Sequence, residues 1–196
     1  MQTDTSKALR NQIMKTKTTI IITASMILAI ALLSGCGTVG PGSSRQEDLA
    51  FPPEILRDWQ VGYSVENRSE RTTQFVPKGE KIDNWTRLVT LQTVKKSDVS
   101  AESIENTVNK KAKEMSARCP ETVWNVIERG PNTNTILYEF RVQNCPSNAD
   151  QHEIARILDG KYNRFRIAYA AKVKALPPAE RDKWIQLLSK ASIVDQ

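Results

Sequence analysis

Between residues 59 and 194 the chain is a series of short stretches in which apolar and polar positions recur with one of two periods. Trp59 to Glu66 (WQVGYSVE) and Arg71 to Val76 (RTTQFV) are rich in β-branched and aromatic residues and flank the polar Asn67-Arg68-Ser69, which predicts two strands joined by a turn. After a turn at Pro77-Lys78-Gly79, the stretch from Trp85 to Val94 alternates. Trp85, Arg87, Val89, Leu91 and Thr93 share one face, and Leu88, Thr90 and Gln92 the other. The period then changes. Ile104, Val108, Ala112 and Met115 recur at helical spacing opposite Lys110, Lys111, Lys113 and Glu114, predicting a helix that Ser100 caps and Pro120 stops near Arg118.

Strands return at Trp124 to Glu128 and Thr135 to Gln143, the arms of an antiparallel hairpin across the loop from Gly130 to Asn134. In the second arm Ile136, Tyr138, Phe140 and Val142 form an apolar face, with Leu137, Glu139, Arg141 and Gln143 opposite. Glu153 to Leu158 and Arg164 to Val173 pair around a Gly-containing loop, Asp159 to Asn163. Leu176-Pro177-Pro178-Ala179-Glu180 opens a closing helix whose buried side is Trp184, Leu187, Leu188 and Ala191. No internal repeat is visible. Strands, helix, strands and helix with antiparallel connections predict an α+β fold, an antiparallel β-sheet covered by two helices. Over residues 59 to 194 this order is similar to PsbP-like folds, which also occur in small bacterial envelope lipoproteins. The resemblance is topological, and it implies an architecture that hosts non-enzymatic accessory proteins.

The N-terminal pattern differs. From Ile20 to Leu33 the chain carries 14 uncharged residues, short of the roughly 20 that span a bilayer as a helix. Lys15 and Lys17 precede this stretch and small residues end it, as in a signal peptide. Leu33-Ser34-Gly35-Cys36 resembles the lipobox of bacterial lipoproteins. The resemblance implies that Cys36 is joined to diacylglycerol, that residues 1–35 are removed, and that the new N-terminus is acylated. The alternatives are an ordinary secretory signal with Cys36 as a free thiol, or an uncleaved anchor. Met14 starts a more typical signal length than Met1. Two or three acyl chains suffice for stable membrane anchoring. Gly37, where an Asp retains such proteins in the inner membrane, implies sorting to the outer membrane. Gly37 to Gln46 (GTVGPGSSRQ) has the composition of a flexible tether. The expected division is therefore a signal peptide over 1–35, lipidated Cys36 and tether over 36–50, and one periplasmic domain over 51–196.

Composition adds limits rather than a function. At 196 residues, 39% apolar and 26% charged, the chain accommodates one ordinary domain and excludes both disorder and a multi-span membrane protein. The net charge of +6 includes Lys7, Arg10, Lys15, Lys17 and Asp4; without those four bases and one acid it falls to +3. No basic run interleaved with aromatics suggests nucleic acid. With Cys36 assigned to lipid, Cys119 and Cys145 remain, and a disulfide between them suits an oxidising periplasm. Two buried free thiols are the alternative. A single histidine, His152, and the absence of CxxC or HxxxH spacing leave metal and haem unsupported. No cofactor is expected.

Catalytic patterns are missing: there is no GxSxG, no phosphate-binding glycine loop, and no motif tying two carboxylates together. His152 beside Glu153 is read as an exposed polar residue at a strand start rather than a catalytic dyad. Arg164, Arg166, Lys172 and Lys174, with Lys161 nearby, are expected to line one face of the late hairpin, a candidate surface for an anionic partner or simply a solvated face. Trp59, Trp85, Trp124 and Trp184 stand near element starts and read as core anchors rather than a ligand platform. Asn67-Arg68-Ser69 and Asn84-Trp85-Thr86 match a glycosylation sequon by coincidence. The resulting expectation is a non-catalytic, outer-membrane-anchored lipoprotein whose periplasmic domain binds another envelope component, as accessory or structural factor of an assembly. The competing expectation is a carrier of a small hydrophobic or anionic ligand, held between the sheet and the Ile104/Val108/Ala112/Met115 helix.

Overall fold

A computed structural model of the chain describes residues 46–97, 102–145 and 149–195. The expected signal peptide, Cys36, most of the tether and Ser100 lie outside the described residues. In chain order the elements are β1 (Glu47–Ala50), β2 (Trp59–Glu66), β3 (Glu70–Pro77), β4 (Arg87–Lys95) and α1 (Ile104–Arg118). There follow β5 (Val123–Arg129), β6 (Thr135–Val142), β7 (Gln151–Asp159), β8 (Asn163–Ala171), α2 (Pro178–Ser189) and β9 (Ser192–Asp195). Seven strands form one antiparallel sheet in the order β2-β3-β4-β8-β7-β6-β5, and β1 pairs with β9 in a separate two-stranded ribbon. The fold is α+β, as expected. The chain makes two meanders, and α1 carries it from β4 to the far edge so that β8 returns beside β4.

Register fixes what each face offers. Residues directly opposite share a face, so Val89, Tyr169, Ile154 and Glu139 form one cross-strand row, and Gln92, Arg166, Ile157 and Ile136 form a row on the reverse side. The first face packs α2: Val89, Leu137, Ile154, Ile167 and Tyr169 enclose Trp184 and Leu188. Tyr169 and Trp184 stack at 3.9 Å, and Trp59 meets both edge-on at 6.2 and 6.1 Å. The reverse face packs α1: Ile136, Tyr138, Phe140, Val142, Ala155, Ile157 and Ala168 receive Ile104 and Val108, while Ala112 and Met115 are only half-buried. Trp124 stacks on Tyr138 and Phe140 at 4.9 and 5.3 Å, and Trp85 packs on Val76, Leu88 and Ala170. All four tryptophans thus serve the core.

Local chemistry sets the element ends. The cap of α1 is Ser103, whose Oγ accepts from Asn106 N–H. The helix ends at Cys119, disulfide-bonded to Cys145 with Cα atoms 5.0 Å apart, which ties its C-terminus to the end of β6. Asn67 Oδ1 accepts from the N–H groups of Ser69 and Glu70, shaping the β2–β3 turn.

The expected tether is too long by four residues. At Glu47 the chain becomes β1, and the Glu47 carboxylate accepts from the backbone N–H groups of Lys161, Tyr162 and Asn163 in the β7–β8 turn, the last two at 2.8 and 2.9 Å. Close approach explains Gly160: a Cβ there would lie 2.5 Å from Glu47 Oε2. Behind Glu47, the segment carrying Leu49, Phe51, Ile55 and Leu56 packs on the α2-side core.

The two faces are therefore covered unequally. Seven strands about 4.8 Å apart make a sheet roughly 29 Å wide, against about 10 Å for a helix with its side chains. On the α2 side the segment through Leu49, Phe51 and Ile55 fills the remainder. On the α1 side, Ile82 and Trp85 cover one corner. Among the described residues no apolar element packs on the half-exposed Thr72, Gln74, Thr90 and Gln92 between them and the edge.

Candidate functional site

The five residues expected to form one cationic face do not do so. Even spacing does place Arg164 and Arg166 together on the α1 side of β8, but both are ion-paired beneath the helix instead of facing solvent. Strand β8 stops at Ala171, so Lys172 and Lys174 lie beyond it. Lys172 Nζ stands 4.6 Å from the centre of the Trp85 ring, and the Lys174 carbonyl accepts from Gln143 Nε2. Lys161 is at the hairpin turn, its Nζ 4.9 Å from the Tyr162 ring centre. The expected surface is thus three separate places.

What the two arginines build is a cleft of about 490 Å³ beside α1, on the side where the helix fails to cover the sheet. Val94, Val108, Tyr138, Ile157 and Phe165 give it apolar walls; Gln92, Glu102, Thr107, Lys111, Arg164 and Arg166 give it polar ones. Arg164 donates twice to the Asp159 carboxylate (2.6 and 3.0 Å), once to Thr107 Oγ1 (3.0 Å) and once to the Glu102 carbonyl (2.9 Å), joining β7, β8 and the start of α1. Arg166 donates to Glu153 Oε1 and to the Tyr138 hydroxyl. Lys111 Nζ is 3.4 Å from the same Glu153 oxygen and 5.3 Å from the Phe140 ring centre. Helical periodicity put Lys111 on the solvated side of α1; its long stem reaches back to the sheet instead.

Charge persists in this cluster despite burial. Burial works against the Glu153 carboxylate, but Arg166 and Lys111 outweigh it and hold its pKa below the usual range. The same pair holds the Arg166 guanidinium firmly charged against its own desolvation. Lys111 and Arg166 share Glu153 while Arg164 takes Asp159, and a third acidic residue, Glu102, lines the cleft beside them.

A second polar cluster lies on the α2 side. His152, expected to be exposed, is 2% exposed. Nor does it act with Glu153: neighbours along a strand face opposite ways, and His152 instead meets Glu139 at 3.1 Å. Its Nδ1 accepts from Leu176 N–H at 2.9 Å. Glu139 also takes two bonds from Arg181 of α2, both 2.8 Å, and one from Asn125. Burial opposes its charge, yet Arg181, Asn125 and His152 bring the carboxyl down to about 2. Burial is the main influence on His152 and pushes its pKa down, with Glu139 opposing. Every partner is matched within the protein, so this cluster fixes α2 and the loop before it to the sheet.

The third feature is an edge. β2 closes one side of the sheet, and Val61, Tyr63 and Val65 are 59%, 46% and 40% exposed. A bulge between Val61 and Tyr63 shifts the register, so Tyr63 and Val65 lie on the open α1 side and Val61 on the other. The sequence contained these residues but not the fact that β2 would be outermost. No protein-family model, curated protein or solved structure matches this chain.

Proposed function

We propose that this is a non-catalytic lipoprotein, held by acyl chains on Cys36 at the outer membrane, whose periplasmic domain docks another envelope protein as an accessory or structural factor. The observation that carries the reading is the β2 edge. Soluble proteins usually blunt such edges with charge, proline, a bulge or a covering element; β2 has a bulge between Val61 and Tyr63, yet it presents Val61, Tyr63 and Val65 with no charged residue between Asp58 and Glu66. An extended segment of a partner adding to β2 would satisfy its outward backbone groups and cover these side chains. The lipobox-like Leu33-Ser34-Gly35-Cys36 supplies the address. The non-catalytic part rests on the two polar clusters, whose acids and bases are paired with one another.

The test joins the two halves. Val61→Lys/Val65→Lys places charge on an exposed edge, where it blocks strand addition without touching the core. Affinity capture of the tagged full chain from crosslinked envelopes is expected to recover one stoichiometric protein with the wild type and at least tenfold less of it with the double variant. Equal recovery with both would overturn the assignment of the edge.

A further inference from the structure

We propose that the cleft beside α1 binds a small anionic amphiphile, a phosphate or carboxylate head on a short apolar chain, with Lys111 and Arg166 at the head and Val94, Val108 and Ile157 along the chain. This goes beyond docking at β2 and does not depend on it. The volume of about 490 Å³ falls within the range of sites for small molecules, which combine apolar walls with a few convergent polar groups. The cleft's charged lining is Lys111, Arg164 and Arg166 against one acid, Glu102, whose carbonyl already accepts from Arg164. Lys111 and Arg166 converge on a single Glu153 oxygen, so one carboxylate answers two full positive charges. The neighbouring Asp159 is shared in the same way by Arg164 and, at 3.8 Å, Lys96. A further anion completes such an arrangement, and guanidinium and ammonium together suit phosphate or carboxylate oxygens.

The apolar part follows from coverage. Val94 on β4 and Ile157 on β7 flank Arg164 and Arg166 across the register, and Val108 faces them from α1. Val108 and Ile157 are almost fully buried, so the apolar residue that an alkyl chain would newly cover is the half-buried Val94. A head of positive charge would meet Lys111, Arg164 and Arg166 and is disfavoured.

The experiment uses the full chain in nanodiscs of neutral phosphatidylcholine, titrated calorimetrically with hexyl phosphate and hexanoate, with hexanol and inorganic phosphate as comparisons and empty discs subtracted. One saturable site is expected, at least about tenfold tighter for the better of the two charged amphiphiles than for hexanol or inorganic phosphate. Preference for hexyl phosphate would point to a lipid-type phosphate monoester, and preference for hexanoate to a free fatty acid. Lys111→Met leaves the Arg166–Glu153 pair in place, and Val94→Trp fills the cleft from a half-buried position. Each is expected to weaken the charged probe about tenfold or more, with Lys111→Met leaving hexanol unchanged. Two results would overturn the proposal: charged amphiphiles binding no tighter than hexanol to the wild type, or both variants, shown folded by circular dichroism, binding them with wild-type affinity.

Discussion

A histidine whose Nδ1 accepts a backbone hydrogen bond holds its hydrogen on Nε2, and His152 does this with Leu176 N–H while pointing Nε2 at Glu139. It is therefore neutral in the folded protein, and its depressed pKa has a definite consequence. The unfolded chain takes up a proton near 6.5, while the native state resists it, so stability falls as pH drops through that value. Glu139 acts lower down. Its folded pKa of about 2 against 4.5 unfolded gives stability that is complete above about 4.5 and is lost as pH falls toward 2. At about 1.4 kcal/mol per unit this is of order 3 kcal/mol. Urea unfolding over pH 7 to 2 is expected to show two declines, a shallow one around 6.5 that His152→Gln removes and a steeper one below about 5. A curve flat down to pH 3 would contradict the network. Residue types were readable in the sequence here, but partners were not. Glu139 and His152 are 13 apart, and no periodicity indicates that one strand sets them diagonally across another under Arg181.

Elements were read best where alternation was long. β2 has its expected limits, and the β6 faces divide as the pattern divides them, Ile136, Tyr138, Phe140 and Val142 under α1 and Leu137 with Glu139 toward α2. β1 and β9, four residues each, are too short to show a period and are defined by pairing with each other. Even spacing correctly put Arg164 and Arg166 on one face; only the placement of α1 decides that this face is covered. Two links tie elements together and can be cut. Closing the loop between Cys119 and Cys145, 26 residues apart, stabilises by about 3.5 kcal/mol in the chain-entropy model. Cys119→Ser/Cys145→Ser is expected to lower unfolding free energy by about that amount, and a loss under 1 kcal/mol would count against it. Glu47→Ala removes an acceptor from three backbone N–H groups. A loss of about 2 kcal/mol in the same denaturation measurement is expected, with amide exchange at Tyr162 and Asn163 accelerated.

At the scale of the whole molecule, one helix cannot cover seven strands, and the chain spends its remaining apolar segment, Leu49 to Leu56, on the α2 side. Among the described residues, the α1 side leaves open both the cleft at Lys111 and Arg166 and the edge at Tyr63 and Val65. Radiolabelled palmitate is expected to enter the wild type and not Cys36→Ala. Site-specific photocrosslinking in intact cells tests whether the domain docks a protein partner through β2. A photoreactive residue at Tyr63 is expected to give one discrete adduct that Cys36→Ala abolishes and that the same probe at Asp182, exposed on α2, does not give. No adduct at Tyr63, or the same adducts from both positions, would contradict docking through β2.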